Sequence, residues 1–194
     1  MGSNWQVQSD KMALKPVTHV LFDMDGLLIN TEVIYTRTIE TILEKYIGPT
    51  ELSWDIKKKQ MGKIAPDLAK LIIEEYKLPL QPAEYTAEAR IIQENLFPHC
   101  DIMPGAERLI RHLKAHNIPF ALATSSAAET FRMKTRYHKE FFQLFDHHVY
   151  GSSDPELKRG KPHPDIFIVA ASRFPDKPAP ENVLVFEDAP NGVK

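Results

Sequence analysis

The chain has 194 residues, 43% of them apolar, and a formal net charge of −2. That length suits one core domain with a smaller insertion, and the apolar share is ample for a buried core. Near-neutrality supplies no basic field for a nucleic-acid polymer or a membrane surface.

Residues 1–16 are mixed and polar, without the apolar stretch of a signal peptide. Met1-Gly2 opens like a myristoylation signal, but Gln6 stands where Ser or Thr is needed. We expect a disordered lead-in to a cytoplasmic protein. No apolar run approaches the roughly 18 residues that span a membrane. Cys100 is the single cysteine, so no internal disulfide forms, as suits a reducing compartment.

Val17 to Phe22 reads as a strand. From Thr31 to Phe97 the pattern is helical. Tyr35, Ile39, Ile42, Leu43 and Tyr46 recur at helical spacing, and Gly48-Pro49 stops that helix. Ser53 caps a short helix that ends near Gly62. Further helices are expected over Asp67 to Tyr76 and Glu84 to Leu96. After Met103-Pro104-Gly105 comes a helix that carries Ala106, Leu109, Ile110 and Leu113 on one face. Pro119 to Ala123 is a continuous apolar run, as suits a strand covered on both faces, and it ends in Thr124-Ser125-Ser126. A helix over Phe141 to Phe145, a strand over His147 to Tyr150, a helix over Ile166 to Phe174 and a strand over Val183 to Phe186 complete the series. Strands alternating with helices predict an α/β fold with a doubly wound, mostly parallel sheet. The all-helical block interrupts it as an inserted cap. The predicted division is a lead-in over 1–16, a discontinuous core over 17–30 and 98–194, and a cap over 31–97.

Polar groups collect at the strand ends. Asp23 and Asp25 follow the first strand two positions apart, a spacing that in a strand puts both on one side. Thr124 follows the second expected strand and Glu187-Asp188 the last, with Lys161 held in a Gly-Lys-Pro loop between them. In an open parallel sheet these ends share the edge where ligands bind. Four carboxylates gathered there repel by about 4 kcal/mol per pair at 4 Å and an effective dielectric near 20. A divalent cation removes that repulsion, and all-oxygen ligands favour Mg²⁺, which bridges carboxylates to a phosphate. Each element alone has a plainer meaning. Asp-x-Asp-Gly occurs in ordinary turns, Thr-Ser-Ser caps helices, Glu-Asp before Ala-Pro starts one, and loop lysines are usually solvated. An EF-hand calcium loop is excluded because Leu28 occupies its glycine position. His147-His148 is adjacent rather than at zinc-ligand spacing.

In this order, Asp23-Met24-Asp25-Gly26, Thr124, Lys161 and Glu187-Asp188 resemble the four motifs of the haloacid dehalogenase-type hydrolases, in the subgroup with a helical cap after the first motif. The resemblance spans Val17 to Lys194. It implies a Mg²⁺-dependent phosphatase in which Asp23 is the nucleophile and forms an aspartyl-phosphate, and Asp25 is first acid and then base. Thr124, with Ser125 beside it, and Lys161 would hold phosphate. Asp23, the backbone carbonyl of Asp25, Asp188 and, through water, Glu187 would bind the metal. The resemblance also implies a further strand and helix beyond Lys194, so the expectation is a fragment with an exposed apolar edge at Val183 to Phe186, open to a reading without enzyme function.

Phe22 to Leu28, Met103 to Glu107, Ile118 to Ser126, His138 to Phe142 and Phe186 to Val193 are most similar to the pseudouridine-5'-phosphatase group. That similarity implies a small phosphomonoester, pseudouridine 5'-phosphate, as substrate, with sugar- or glycerol-phosphate as the alternative and no obligate protein partner. A phosphomutase is disfavoured. Its cap has basic residues where Met61 and Ala65 stand, and a histidine where Tyr35 stands. Tyr35 and Lys63 are the expected substrate contacts of the cap.

Overall fold

The computed structural model describes residues 15–60 and 65–193. Lys63, with Met61, lies outside the described residues, as does most of the lead-in. Four strands make one parallel sheet in the order β3-β2-β1-β4: β1 (His19–Phe22), β2 (Phe120–Thr124), β3 (His148–Tyr150) and β4 (Val183–Phe186). In register, Phe22 sits beside Leu122 on one side and Phe186 on the other.

The two central strands are buried throughout, while β3 and β4 are partly exposed, as expected of sheet edges. Period two then divides the core. Val20, Phe22, Phe120 and Leu122 face one cluster with Ile110, Phe131, Phe141 and Phe142. Leu21, Ala121, Ala123 and Val149 face the other with Ile166, Ala170 and Phe174. Small alanines on the second face let α8 (Asp165–Ser172) lie close. On the first face Phe22 stacks on Phe186 at 5.0 Å and meets Phe120 and Phe145 edge-on. Each such buried ring stabilises by about 1.5–3 kcal/mol, and this cluster fixes the strand ends from which the polar groups project.

Between β1 and β2 the chain makes α1 (Thr31–Ile47), α2 (Trp54–Gln60), α3 (Ala65–Tyr76), α4 (Pro82–Leu96) and α5 (Ala106–Ala115). The first four share a cluster of their own, with Ile39, Ile42 and Leu43 from α1, Ile56 from α2, Ile72 from α3 and Tyr85 from α4. Ser53 caps α2 by accepting from Ile56 N at 3.3 Å. At α4, Gln81 N donates to Glu84 Oε2 at 2.7 Å in a capping box, with Pro82 in the first turn. The chain leaves and re-enters the sheet side by side: Asn30 N donates to Asp101 O and Met103 N to Leu28 O, each at 2.9 Å.

Beyond β2 come α6 (Ala128–Lys134) and α7 (Lys139–Phe142), and α9 (Pro190–Val193) follows β4. The sequence reading missed α6 and placed α7 two residues late. The strand expected from Val17 begins at His19.

Candidate active site

β1 ends at Phe22, and Asp23 is the first residue beyond it, its N–H still donating to Phe186 O at 3.0 Å. The loop then closes tightly. Gly26 adopts φ +82° and donates to Ile29 O, and Leu28 N donates to Met24 O. Asp23 is therefore held almost as in a strand, while Asp25 bridges to Ile29 at the mouth of the turn.

The carboxylates of the two aspartates consequently take different partners. Four carboxylates were expected to converge, and three do. Ligand oxygens of Asp23, Glu187 and Asp188 lie within 4.8 Å of one another. Lys161 inserts among them, donating to Asp23 Oδ1 at 2.5 Å and to Glu187 Oε2 at 2.6 Å. Ala189 N donates to Glu187 Oε1 at 3.2 Å. Gly26 packs against Asp188 so closely that an added Cβ would collide with Oδ2. Thr124 is buried, and its hydroxyl accepts from Ser126 N at 3.1 Å. The Ser125 side chain is exposed.

The carboxylate of Asp25 turns to a different set. Oδ1 accepts from Lys134 Nζ at 2.5 Å and Oδ2 accepts from Ser126 Oγ at 3.0 Å. Lys134 also donates to Ser126 Oγ and to the hydroxyl of Tyr35. The Tyr35 ring packs edge-on against Phe97 at 5.4 Å. Its hydroxyl is thus engaged within the protein.

The two aspartates differ accordingly. Burial raises the Asp23 carboxyl to about 7; Lys161 opposes the rise, while Glu187 and Asp25 add to it. Burial acts on Asp25 too, but the adjacent Lys134 charge, with hydrogen bonds from Lys134 and Ser126, outweighs it and holds that carboxyl below its ordinary value. Burial also raises Asp188. Cys100 is buried and its thiol is pushed up to about 11, an unreactive packing residue.

Sequence reasoning missed Lys134. Its place on the buried face of α6, three residues after Phe131, shows only once that helix is known.

An acidic trio and a lysine at one parallel-sheet edge, with helices inserted after the first strand, agree with what comparison finds. The family model of haloacid dehalogenase-like hydrolases matches residues 17–194. This chain belongs to that family. Among curated relatives it is 52% identical over 180 residues to a "probable pseudouridine-5'-phosphatase" of Drosophila melanogaster, covering 93% of this chain and 77% of the relative. It is 44% identical over 180 residues to (DL)-glycerol-3-phosphatase 2 of Arabidopsis thaliana, covering 91% and 74%. Among solved structures, a HAD-superfamily hydrolase, subfamily IA, variant 1, from Geobacter sulfurreducens superposes with a TM-score of 0.69 at 17% identity, covering 90% and 80%, a likeness of fold. Among the described residues no helix is long and apolar enough to cross a membrane.

Proposed function

We propose that this hydrolase is a Mg²⁺-dependent phosphomonoesterase acting through an aspartyl-phosphate on Asp23, with pseudouridine 5'-phosphate as substrate. One observation carries the reading: Lys161 is shared between Asp23 and Glu187 beside Asp188. A lysine already touching the nucleophile lies where the oxygens of a phosphoryl group attached to Asp23 would be neutralised.

The oxygen-only trio fits a hard divalent cation, and glycine at position 26 preserves the space beside Asp188. Asp23, Asp188, Glu187 through water, and the carbonyl of Asp25 would hold Mg²⁺, which supplies charge neutralisation for the phosphoryl oxygens. Asp23 attacks phosphorus, the ester bond breaks, and Asp25 gives its proton to the departing oxygen. Asp25 then takes a proton from the water that cleaves the acyl phosphate, which restores Asp23. Thr124 and Lys161 orient the phosphoryl oxygens, with Ser125 at the same loop. The helical insertion acts as the cap that selects the alcohol part, with Lys63 and the ring of Tyr35, rather than its hydroxyl, as its contacts.

The substrate assignment is supported by the 52% identity to the Drosophila relative. The 44% identity to a glycerol-3-phosphatase favours a second reading, a glycerol- or sugar-phosphate phosphatase. Phosphate release from a panel of nucleotide, sugar and glycerol monophosphates, with Mg²⁺, decides between them. Pseudouridine 5'-phosphate is expected to rank first by kcat/KM; a polyol phosphate in first place transfers the assignment. Equal rates for this chain and Asp23→Asn would remove the enzymatic reading altogether.

A further inference from the structure

Among the described residues, Lys134 is the most deeply buried charged side chain that the proposed chemistry does not use. It closes α6 and is 1% exposed. Its ammonium has three N–H donors and three oxygen partners: Asp25 Oδ1 at 2.5 Å, Ser126 Oγ at 3.1 Å and the Tyr35 hydroxyl at 3.2 Å. The Phe97 ring covers it, with its centroid 4.8 Å from the nitrogen. Every donor is engaged and water is excluded, so Lys134 has nothing left to offer a phosphate. This separates it from Lys161, whose partners are the carboxylates at the reacting centre.

The three acceptors come from three parts of the chain. Asp25 is in the loop after β1, Ser126 in the loop after β2, and Tyr35 on the first helix of the insertion. Lys134 takes one oxygen of Asp25 while Ser126 Oγ donates to the other, so both ends of that carboxylate are held. Two fixed donors define the rotation of a carboxyl group about its bond to Cβ. They define it relative to α1, through Tyr35.

We propose that Lys134 is a positioning residue, which sets the orientation of the Asp25 carboxyl and ties it to the helical insertion through the Tyr35 hydroxyl. The proposal rests on the acid–base role of Asp25 given above. Lys134 acts through Asp25, whose Oδ1 it holds. Misplacing a catalytic group by about 1 Å lowers a rate on the order of 10²-fold.

The test is a kinetic cycle with the best monophosphate substrate and Mg²⁺. Lys134→Met keeps the length and apolar stem and removes the donors. It is expected to lower kcat on the order of 10²-fold with KM little changed. The double variant Asp25→Asn/Lys134→Met is expected to be no slower than Asp25→Asn alone, because a residue that acts through Asp25 has nothing to act on without it. A raised KM at unchanged kcat, wild-type kinetics, or full multiplication of the two losses would overturn the proposal. Should Lys134→Met not fold, Tyr35→Phe and Ser126→Ala each remove one partner of the ammonium. The proposal then requires a several-fold loss of kcat from each that disappears in the Asp25→Asn background, and it falls if neither lowers kcat. Wild type as slow as Asp23→Asn would instead defeat the phosphatase reading. Asp25→Asn as fast as wild type would defeat the acid–base role.

Discussion

Asp23 and Asp25 are two residues apart, each bound to a buried lysine at 2.5 Å, yet burial and charge drive them in opposite directions. The reason is how each lysine is divided. Lys161 serves two carboxylates, Asp23 and Glu187, with Asp188 nearby, so one positive charge faces an excess of negative charge. Burial raises Asp23 to about 7, and Lys161, so shared, does not offset the rise. Lys134 has a single carboxylate partner among the described residues, assisted by two hydroxyls, and Asp25 is lowered. The first cluster is electrostatically incomplete and suited to a cation. The second is closed and suited to holding a side chain still. Proximity in sequence therefore says little about charge state; the share of counter-charge decides it.

The largest expected effect tests the incomplete cluster. Asp23→Asn should lower phosphate release by on the order of 10³-fold or more, because it removes the attacking oxygen. Residual activity within about tenfold of wild type would place the nucleophile elsewhere. The closed cluster is probed by the leaving group. An Asp25 held ionised is ready as a base but is the minor form for protonating a departing alkoxide. A p-nitrophenyl ester, which needs no such proton, should therefore turn over faster than an alkyl phosphate by about 10–100-fold at pH 7. Equal kcat for the two would show that the contrast between the aspartates does not reach the chemistry.

Cation binding sharpens the comparison further. In the metal-free protein Asp23 is protonated below about 7, and a cation must displace that proton. Apparent Mg²⁺ affinity measured by calorimetry should weaken about tenfold per pH unit below that point. A flat profile between pH 5.5 and 7 would mean that Asp23 is already ionised there.

The smallest effect is on stability. Asp23 titrates at about 7 folded against its ordinary 3.8, so the folded state binds this proton more tightly. The stabilisation is complete below the ordinary value and is lost as pH rises through about 7. Without metal, wild type should therefore lose stability relative to Asp23→Asn between pH 6 and 8, by roughly 1 kcal/mol or about 2–4 °C in melting temperature. Parallel melting curves for the two proteins across that range would contradict the raised value.

Much of this was legible because it is local. The apolar run ending in Asp23, the run ending in Thr124, and Val183 to Phe186 followed by Glu187-Asp188 each show a strand and its exit in a few residues. Parallel strand ends must then share an edge. The helical insertion was legible from its spacing at Ile39, Ile42 and Leu43. Helix α6 was not, since seven residues with little apolar periodicity carry a weak local signal.

By itself, then, the sequence determined the order of strands and helices and the gathering of Asp23, Lys161, Glu187 and Asp188, because strand periodicity and parallel topology act through short segments. Only the tertiary structure decided that the Asp25 carboxylate meets Lys134 and Ser126 instead of Lys161. The strand stops at Phe22, Gly26 turns the chain, and a lysine 109 residues away supplies the nearer charge. Which counter-charge a buried carboxylate meets depends on packing between distant segments, and no local pattern encodes it.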